Sequence, residues 1–356
     1  MFQLMKTQHS IHYGKEGLLT LASHIKMRGY SSLFVLTDTH TAHHCFDRFV
    51  NETGLTSLNV LTMTAGEEHK NIKTCETLWH ELSSLGADRN SALINLGGGV
   101  VTDLGGFVAC TFKRGIDFYN VPTSLLAMVD ASVGGKTGID FGPLKNQIGI
   151  IQEPVKVIID SHWLQTLPYV ELRSGFSEML KHGLIADKAY WNTLQSLTTL
   201  SPNTLAPYIE RSVELKKDVV LEDPTEKHLR KILNYGHTLG HAIESYYLHH
   251  PSQKRLLHGE AIAIGMITEA YLSVAYCGMS KKEAQEIKQA FDRWFPKIEI
   301  SSGDENEIFA LLRHDKKNKG QAIRFVLLHQ IGQPKIDIEV TSEHISEAFQ
   351  FYADLS

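Results

Sequence analysis

The sequence predicts an α/β domain with a mostly parallel sheet over residues 1–160, followed by a mainly helical domain over residues 161–356. Three observations carry this reading. Short apolar runs alternate with helix-like sequence in the first half, and a run of three glycines follows one of them. After Ser161 the apolar pattern lengthens to helical periods with few strand candidates. A chain of 356 residues also exceeds the size at which single cores usually stop growing, so two domains are expected.

In the first half, Ser32–Asp38, Leu58–Met63 and Ala92–Leu96 read as successive strands, with Val155–Asp160 as the last. Ligands of such a sheet sit at the carboxyl ends of the strands, where Asp38 and the segment Ala65–Lys70 fall; a solvated turn is the alternative for each. The apolar run from Leu93 meets Gly97, Gly98 and Gly99 and then Asp103. Glycines there let backbone amides approach a phosphate with a helix starting behind it, which is a dinucleotide-type cradle. They serve a tight strand-to-helix turn equally well.

In the second half, Glu171–Asp187 has helical period, with Leu172, Phe176, Met179 and Gly183 on one side. Ser174, Glu178, Lys181 and His182 lie on the other, where an acid and a base three or four residues apart read as an ordinary pair on a solvated face. Ser201-Pro202 opens a helix through about Leu221, with Lys216 inside the stripe Leu205, Ile209, Val213 and Val220. A lysine there either snorkels to the rim or meets an anion.

Asp223-Pro224 is read as the start of a further helix, whose one face carries Arg230, Asn234, His237 and His241. The two histidines at i and i+4 can reach one metal ion or mark a polar surface. His258 precedes a run so apolar that it reads as a helix buried on nearly all sides, and Ser280–Glu283 is a capping box for a helix ending near Trp294. A basic loop, Asp315–Gly320, leads into a strand-like Ile323–Leu328.

Composition bounds the partners. Charged residues make up 21% and the net charge is -5, so no basic field attracts nucleic acid or a membrane surface. No apolar segment is expected to span a bilayer, and the polar stretch Met1–Ser10 does not read as a signal peptide, which points to a cytoplasmic protein of small-molecule chemistry. Four scattered cysteines suggest neither disulfides nor a thiolate metal site. Nineteen histidines direct attention to imidazole ligands.

Taken together, several separated motifs resemble the 3-dehydroquinate synthase family along nearly the whole chain. They are Gly97–Leu104, Arg114–Asp117, Val121–Leu126, Val129–Lys136, Lys145-Asn146, Arg173–Glu178, Asn234–Glu244 and Leu257–Glu260. The resemblance implies a Rossmann-like nucleotide-binding α/β domain followed by an all-α metal- and substrate-binding domain. It places zinc, or cobalt in its stead, on Glu178, His237 and His258. It places NAD on Asp38, Glu67, Lys70, Gly98, Gly99, Asp103, Thr123, Ser124, Lys136, Lys145 and Thr166. Around the substrate it puts Asp130, Lys136, Asn146, Lys181, Lys216, Arg230, Asn234, His241 and a lysine of the basic loop, taken as Lys316. His241 is then a substrate contact and not a ligand, and Lys216 has an anion to meet.

The implied reaction converts 3-deoxy-D-arabino-heptulosonate 7-phosphate to 3-dehydroquinate and phosphate. It runs through transient NAD-dependent oxidation, phosphate elimination, reduction, ring opening and aldol closure, in a homodimer. Four positions depart from the family pattern: Thr102 replaces a common glycine, Ser124 a threonine, Met128 a glutamine and His40 an asparagine. Rival readings are a cyclase for another sugar phosphate, a metal-dependent polyol dehydrogenase that would accumulate NADH, and a non-catalytic binding relative.

Overall fold

The computed structural model describes residues 11–142, 144–250, 255–313 and 323–354, and the chain divides into two compact units. One runs through Leu172 and includes Ser201–Ile209; the other comprises Arg173–Leu200 and the chain from Glu210 onward.

The first unit is built on a six-stranded sheet. Its strands are β1 (Ile11–Tyr13), β2 (Leu33–Asp38), β3 (Asn59–Met63), β4 (Ala92–Gly97), β5 (Asp117–Pro122) and a strand Lys156–Ile159, which is β8 in chain order. The spatial order is β1-β8-β5-β4-β2-β3, and every neighbouring pair is parallel. Helices α1 (Gly14–Arg28), α2 (Thr39–His44), α3 (Phe46–Thr53), α4 (Ile72–Ser84) and α5 (Gly99–Thr111) connect the strands. β4 lies inside the sheet, and all six of its residues are buried, as its unbroken apolar run requires. α5 packs against it so closely that a side chain at Gly105 would overlap Asn95. One core cluster joins the sheet residues Phe34, Leu36, Leu93 and Phe118 to Leu104, Phe107 and Val108 of α5 and Leu78 and Leu82 of α4.

Two further features of this unit have no signature in the sequence. Ala127–Ala131, which contains Asp130, is a single π-helical turn. Lys136 and Asn146 belong to a separate antiparallel hairpin, β6 (Lys136–Phe141) with β7 (Leu144–Ile151).

The second unit is helical apart from one two-stranded sheet. Its helices are α6 (Tyr169–Ala186), α7 (Lys188–Gln195), α8 (Pro202–Glu222), α9 (His237–His249), α10 (His258–Cys277), α11 (Lys281–Trp294), α12 (Ser302–Arg313) and α13 (Ser342–Ala353), with α6 and α8 each beginning in residues of the first unit. β9 (Ile323–Gln330) pairs antiparallel with β10 (Gln333–Val340). α10 forms the centre of this unit, packed against α9, α11, α13 and β9. By length and composition α10 is apolar enough to cross a membrane, contrary to expectation; its apolar character is accounted for by burial of Ile262, Ile264, Met266 and Ile267 in the core.

Two sequence expectations need correction. The helix foreseen from Asp223 does not form. Instead the Asp223 carboxylate accepts the backbone N–H groups of Lys227, His228 and Arg230 at 3.1, 2.6 and 3.1 Å, a short 3₁₀ turn spans Leu229–Asn234, and α9 starts only at His237. The break falls at Gly236, whose φ of 78° lies in the left-handed region. Arg230 and Asn234 are therefore not on one helix face with His237 and His241. Secondly, the polar side of α6 is not solvated: Ser174, Glu178, Lys181 and His182 are all buried. Of the two readings open for Lys216, the one that reaches the rim does not hold: the residue is 6% exposed, and Leu205, Ile209, Val213 and Val220 of its stripe are buried too.

Candidate active site

In the first unit the sheet order reverses between β2 and β4, because β3 lies on one side of β2 and β4, β5 and β8 continue on the other. The carboxyl ends at such a point form a crevice for ligands. Asp38 ends β2, Gly98 and Gly99 follow β4, and Thr123 and Ser124 follow β5. The register sets Gly97 opposite Pro122, and Thr123 N–H donates to the Gly97 carbonyl at 3.0 Å, so the two loops run side by side. A Cβ at Gly98 would stand 3.3 Å from Ser124 Oγ, and one at Gly99 3.5 Å from Ala131, at the amino end of α5. Glycine there keeps open the approach to the first amides of α5, as a bound pyrophosphate requires, and the residues fit a dinucleotide.

Five of the residues expected around the cofactor or substrate form one charged network beside this crevice. Lys70 is buried, and its Nζ donates to Asp103 Oδ2 at 2.7 Å and Asn146 Oδ1 at 2.8 Å, with Glu67 at 3.9 Å. Lys145 pairs with Glu67 and lies 3.5 Å from Asp140. Burial raises the Asp103 and Asp140 carboxyls above the usual range, with the lysines opposing, while burial lowers Lys70 and its carboxylate neighbours more than offset this. Asn146 adopts a φ of 51°, held by donation of its N–H to Asp140 at 2.7 Å. Asp140 was missed in the sequence because nothing there foretold the hairpin. The remaining predicted residues of this unit are placed less tightly. Asp38 accepts the N–H groups of His40 and Thr41 as the cap of α2, Lys136 is exposed at the start of β6, and Thr166 is exposed at the end of the 3₁₀ turn Ser161–Thr166.

In the second unit three helices bring Glu178, His237 and His258 together. Glu178 comes from the middle of α6, His237 from the first residue of α9 and His258 from the first residue of α10. Glu178 Oε1 stands 3.6 Å from His237 Nε2 and 3.7 Å from His258 Nε2. In a tetrahedron of ~2.1 Å bonds the corners are about 3.4 Å apart, so these donors fit a zinc-like ion with little adjustment. The remaining ring nitrogens are both engaged. His237 Nδ1 donates to the Tyr235 carbonyl at 3.0 Å, and His258 Nδ1 lies 3.1 Å from Glu244 Oε2. That leaves Nε2 of each ring as the nitrogen able to ligate a metal ion.

The electrostatics of the two rings differ. Burial and the adjacent Lys181 hold His237 well below its ordinary value, so its Nε2 lone pair is available at neutral pH. Burial also acts to lower His258, but Glu244 and Glu178 outweigh it and push the ring up to about 10. A ligated cation would displace that proton. Lys181, buried beside Glu178, pairs with its second oxygen.

His241 lies one turn along α9, with its ring centroid 5.1 Å from that of His237. With Glu244 and His258 it forms a second, overlapping group of donors. His258 Nδ1 is already engaged by Glu244, so the Glu178 group is the better ligand set. Glu244 follows His237 by seven residues and His241 by three, a helical spacing from which it was legible.

Arg230 is buried on the 3₁₀ turn ahead of α9 and donates to the Pro224 carbonyl at 2.9 Å; Asn234 donates to Glu226 at 2.7 Å. Lys216 is buried on α8. Lys316 lies outside the described residues.

Comparison with known proteins agrees with these features. The chain matches the 3-dehydroquinate synthase N-terminal family over residues 60–174 and the C-terminal family over residues 175–318. It is 40% identical over 327 residues to a 3-dehydroquinate synthase of Parabacteroides distasonis, covering 91% of this chain and 92% of that one. Among solved structures it resembles 2-deoxy-scyllo-inosose synthase complexed with carbaglucose-6-phosphate, NAD+ and Co2+, with a TM-score of 0.83, 27% identity and coverage of 97% and 96%. A 2-epi-5-epi-valiolone synthase from Streptomyces hygroscopicus, with NAD+ and Zn2+ bound, shares the fold at a TM-score of 0.81, 22% identity and 97% coverage of both chains. Two adjoining family matches and a relative at this identity over nine-tenths of the chain lead to one conclusion: the chain belongs to the 3-dehydroquinate synthase family.

Proposed function

We propose that this protein converts 3-deoxy-D-arabino-heptulosonate 7-phosphate to 3-dehydroquinate and phosphate, within aromatic amino acid biosynthesis. The observation that carries the reading is a three-donor centre in a chain of this family, Glu178, His237 and His258, on a unit that also buries the cations Lys181, Lys216 and Arg230. An uncharged polyol needs no such cations, whereas a sugar phosphate does. When bound, zinc or cobalt on those three residues would supply Lewis acidity, and NAD on the first unit a transient oxidation that is later reversed.

The chain's own residues do the rest. Glu244 and the Tyr235 carbonyl hold the two imidazoles in the ligating tautomer. Lys181 compensates the buried Glu178 carboxylate, which would otherwise be costly to keep ionised. Lys216, Arg230, Asn234 and His241, with Asp130, Lys136, Asn146 and Lys316, bind the substrate's phosphate, carboxylate and hydroxyls in this proposal. Asp38, Glu67, Lys70, Gly98, Gly99, Asp103, Thr123, Ser124, Lys136, Lys145 and Thr166 bind NAD. The functional division is then residues 1–160 for NAD and 161–356 for metal and substrate, in a cytoplasmic homodimer.

The test is phosphate release from 3-deoxy-D-arabino-heptulosonate 7-phosphate, followed beside NADH absorbance. Phosphate is expected to appear with catalytic NAD and no net NADH. Turnover of sedoheptulose 7-phosphate or glucose 6-phosphate in its place would assign another cyclase activity, and NADH accumulating on a polyol would assign a dehydrogenase.

A further inference from the structure

Glu269 is a fully buried carboxylate in the middle of α10, among residues that are otherwise small or apolar, and no part of the function described so far uses it. Its Oε2 accepts the backbone N–H of Gly236 at 2.5 Å. The carbonyl of that same peptide unit is Tyr235 O, the group that receives His237 Nδ1–H at 3.0 Å.

A peptide unit is planar, and in its trans form the N–H and C=O point in opposite directions. A carboxylate fixing the N–H therefore fixes the direction of the carbonyl. It also polarises the unit, so that the carbonyl becomes a stronger acceptor for the imidazole. The turn has little room to move otherwise. Tyr235 OH donates to the Met266 carbonyl at 3.1 Å, and a Cβ at Gly236 would meet the Ile262 carbonyl at 3.1 Å, both on α10. Gly236 O then accepts the N–H of Gly240 at 3.0 Å, one of the first hydrogen bonds of α9.

We infer that Glu269 is a positioning residue for the metal centre, acting on His237 through the Tyr235–Gly236 peptide. Each imidazole of the centre is thus backed by a carboxylate: Glu244 touches His258 directly, and Glu269 reaches His237 through one peptide plane. α10 carries His258 at its first residue and orients His237 from its middle. The inference rests on the assignment of Glu178, His237 and His258 as ligands.

The test compares Glu269→Gln, which keeps an acceptor of the same size without the charge, with Glu269→Leu, which removes the acceptor. Zn2+ and Co2+ affinities are measured by chelator competition, and the visible spectrum of the Co2+-loaded protein is recorded. Affinity is expected to fall a few-fold for Glu269→Gln and about tenfold or more for Glu269→Leu, in line with other groups that orient metal ligands. The cobalt bands should shift while the circular dichroism stays that of the wild type.

Thr268→Val is the control for damage to the core, since Thr268 is equally buried but donates only within its own helix, to Ile264 and Gly265. Wild-type affinity and spectrum in Glu269→Gln overturn the inference, whether or not Glu269→Leu folds. An equal loss in Thr268→Val overturns it as well. Failure of the ligand assignment shows separately, as cobalt uptake that is the same in the wild type and in His237→Ala.

Discussion

His258 stands between two carboxylates, with Nδ1 3.1 Å from Glu244 and Nε2 3.7 Å from Glu178. In the proposed centre Glu244 orients the ring and Glu178 would share a bound ion with it, which is how histidine ligands are usually held. Removing the orienting charge in Glu244→Gln should weaken Zn2+ binding by 10- to 100-fold, about 1.4 to 2.8 kcal/mol. Chelator competition on the purified variant measures it, and wild-type affinity would detach Glu244 from the centre.

Loss of a ligand should be more severe than loss of its support. His237→Ala or His258→Ala leaves two of three donors, so both variants should fold, hold little zinc and show no turnover. Metal content after gel filtration decides it: full occupancy in either variant removes that histidine from the ligand set.

The Lys70 network offers a stability test. Lys70 is buried against Asp103 and Asn146, so Lys70→Met strands a partly buried carboxylate and should cost about 1 to 3 kcal/mol. Adding Asp103→Asn should recover part of that loss, since the uncompensated charge goes too. Denaturant midpoints read both effects, and NAD affinity should fall in each variant.

Asp223 provides a pH signature. Burial raises this carboxyl, but the N–H groups of His228, Lys227 and Arg230 outweigh it and hold it below its ordinary value of 3.8. A depressed carboxyl stabilises the fold above the unfolded value and loses that contribution as the pH falls through the folded one. The stability advantage of the wild type over Asp223→Asn should therefore be full above pH 3.8 and shrink below it. Urea midpoints between pH 2 and 6 check this; a difference independent of pH would contradict it.

Lys216 tests the substrate reading. Its position on the apolar stripe of α8 suits methionine, while its charge suits an anion. Lys216→Met should lower catalytic efficiency at least tenfold, about 1.4 kcal/mol of transition-state stabilisation, with NAD affinity unchanged and a much smaller effect on melting. A variant that melts early yet turns over normally would make the lysine structural.

The sequence by itself determined whatever local chemistry dictates. The strands ending at Asp38 and Gly97, the glycine turn into α5, the Ser280 cap of α11 and the amino end of α10 at His258 all depend on neighbours within a few residues. The family motifs singled out the three donors, and the structure brings those donors together. Tertiary structure decided what depends on burial and on distant partners. The polar side of α6 reads in sequence as a solvated pair, and only packing against other elements makes Glu178 and Lys181 a buried ion pair. The continuous helix after Asp223 is overridden by three backbone N–H groups turning toward one carboxylate and by the left-handed Gly236, because periodicity does not register where a chain finds its hydrogen bonds. Asp140 and Glu269 had no signal at all, since the backbone groups they hold become neighbours only when the hairpin and α10 are in place.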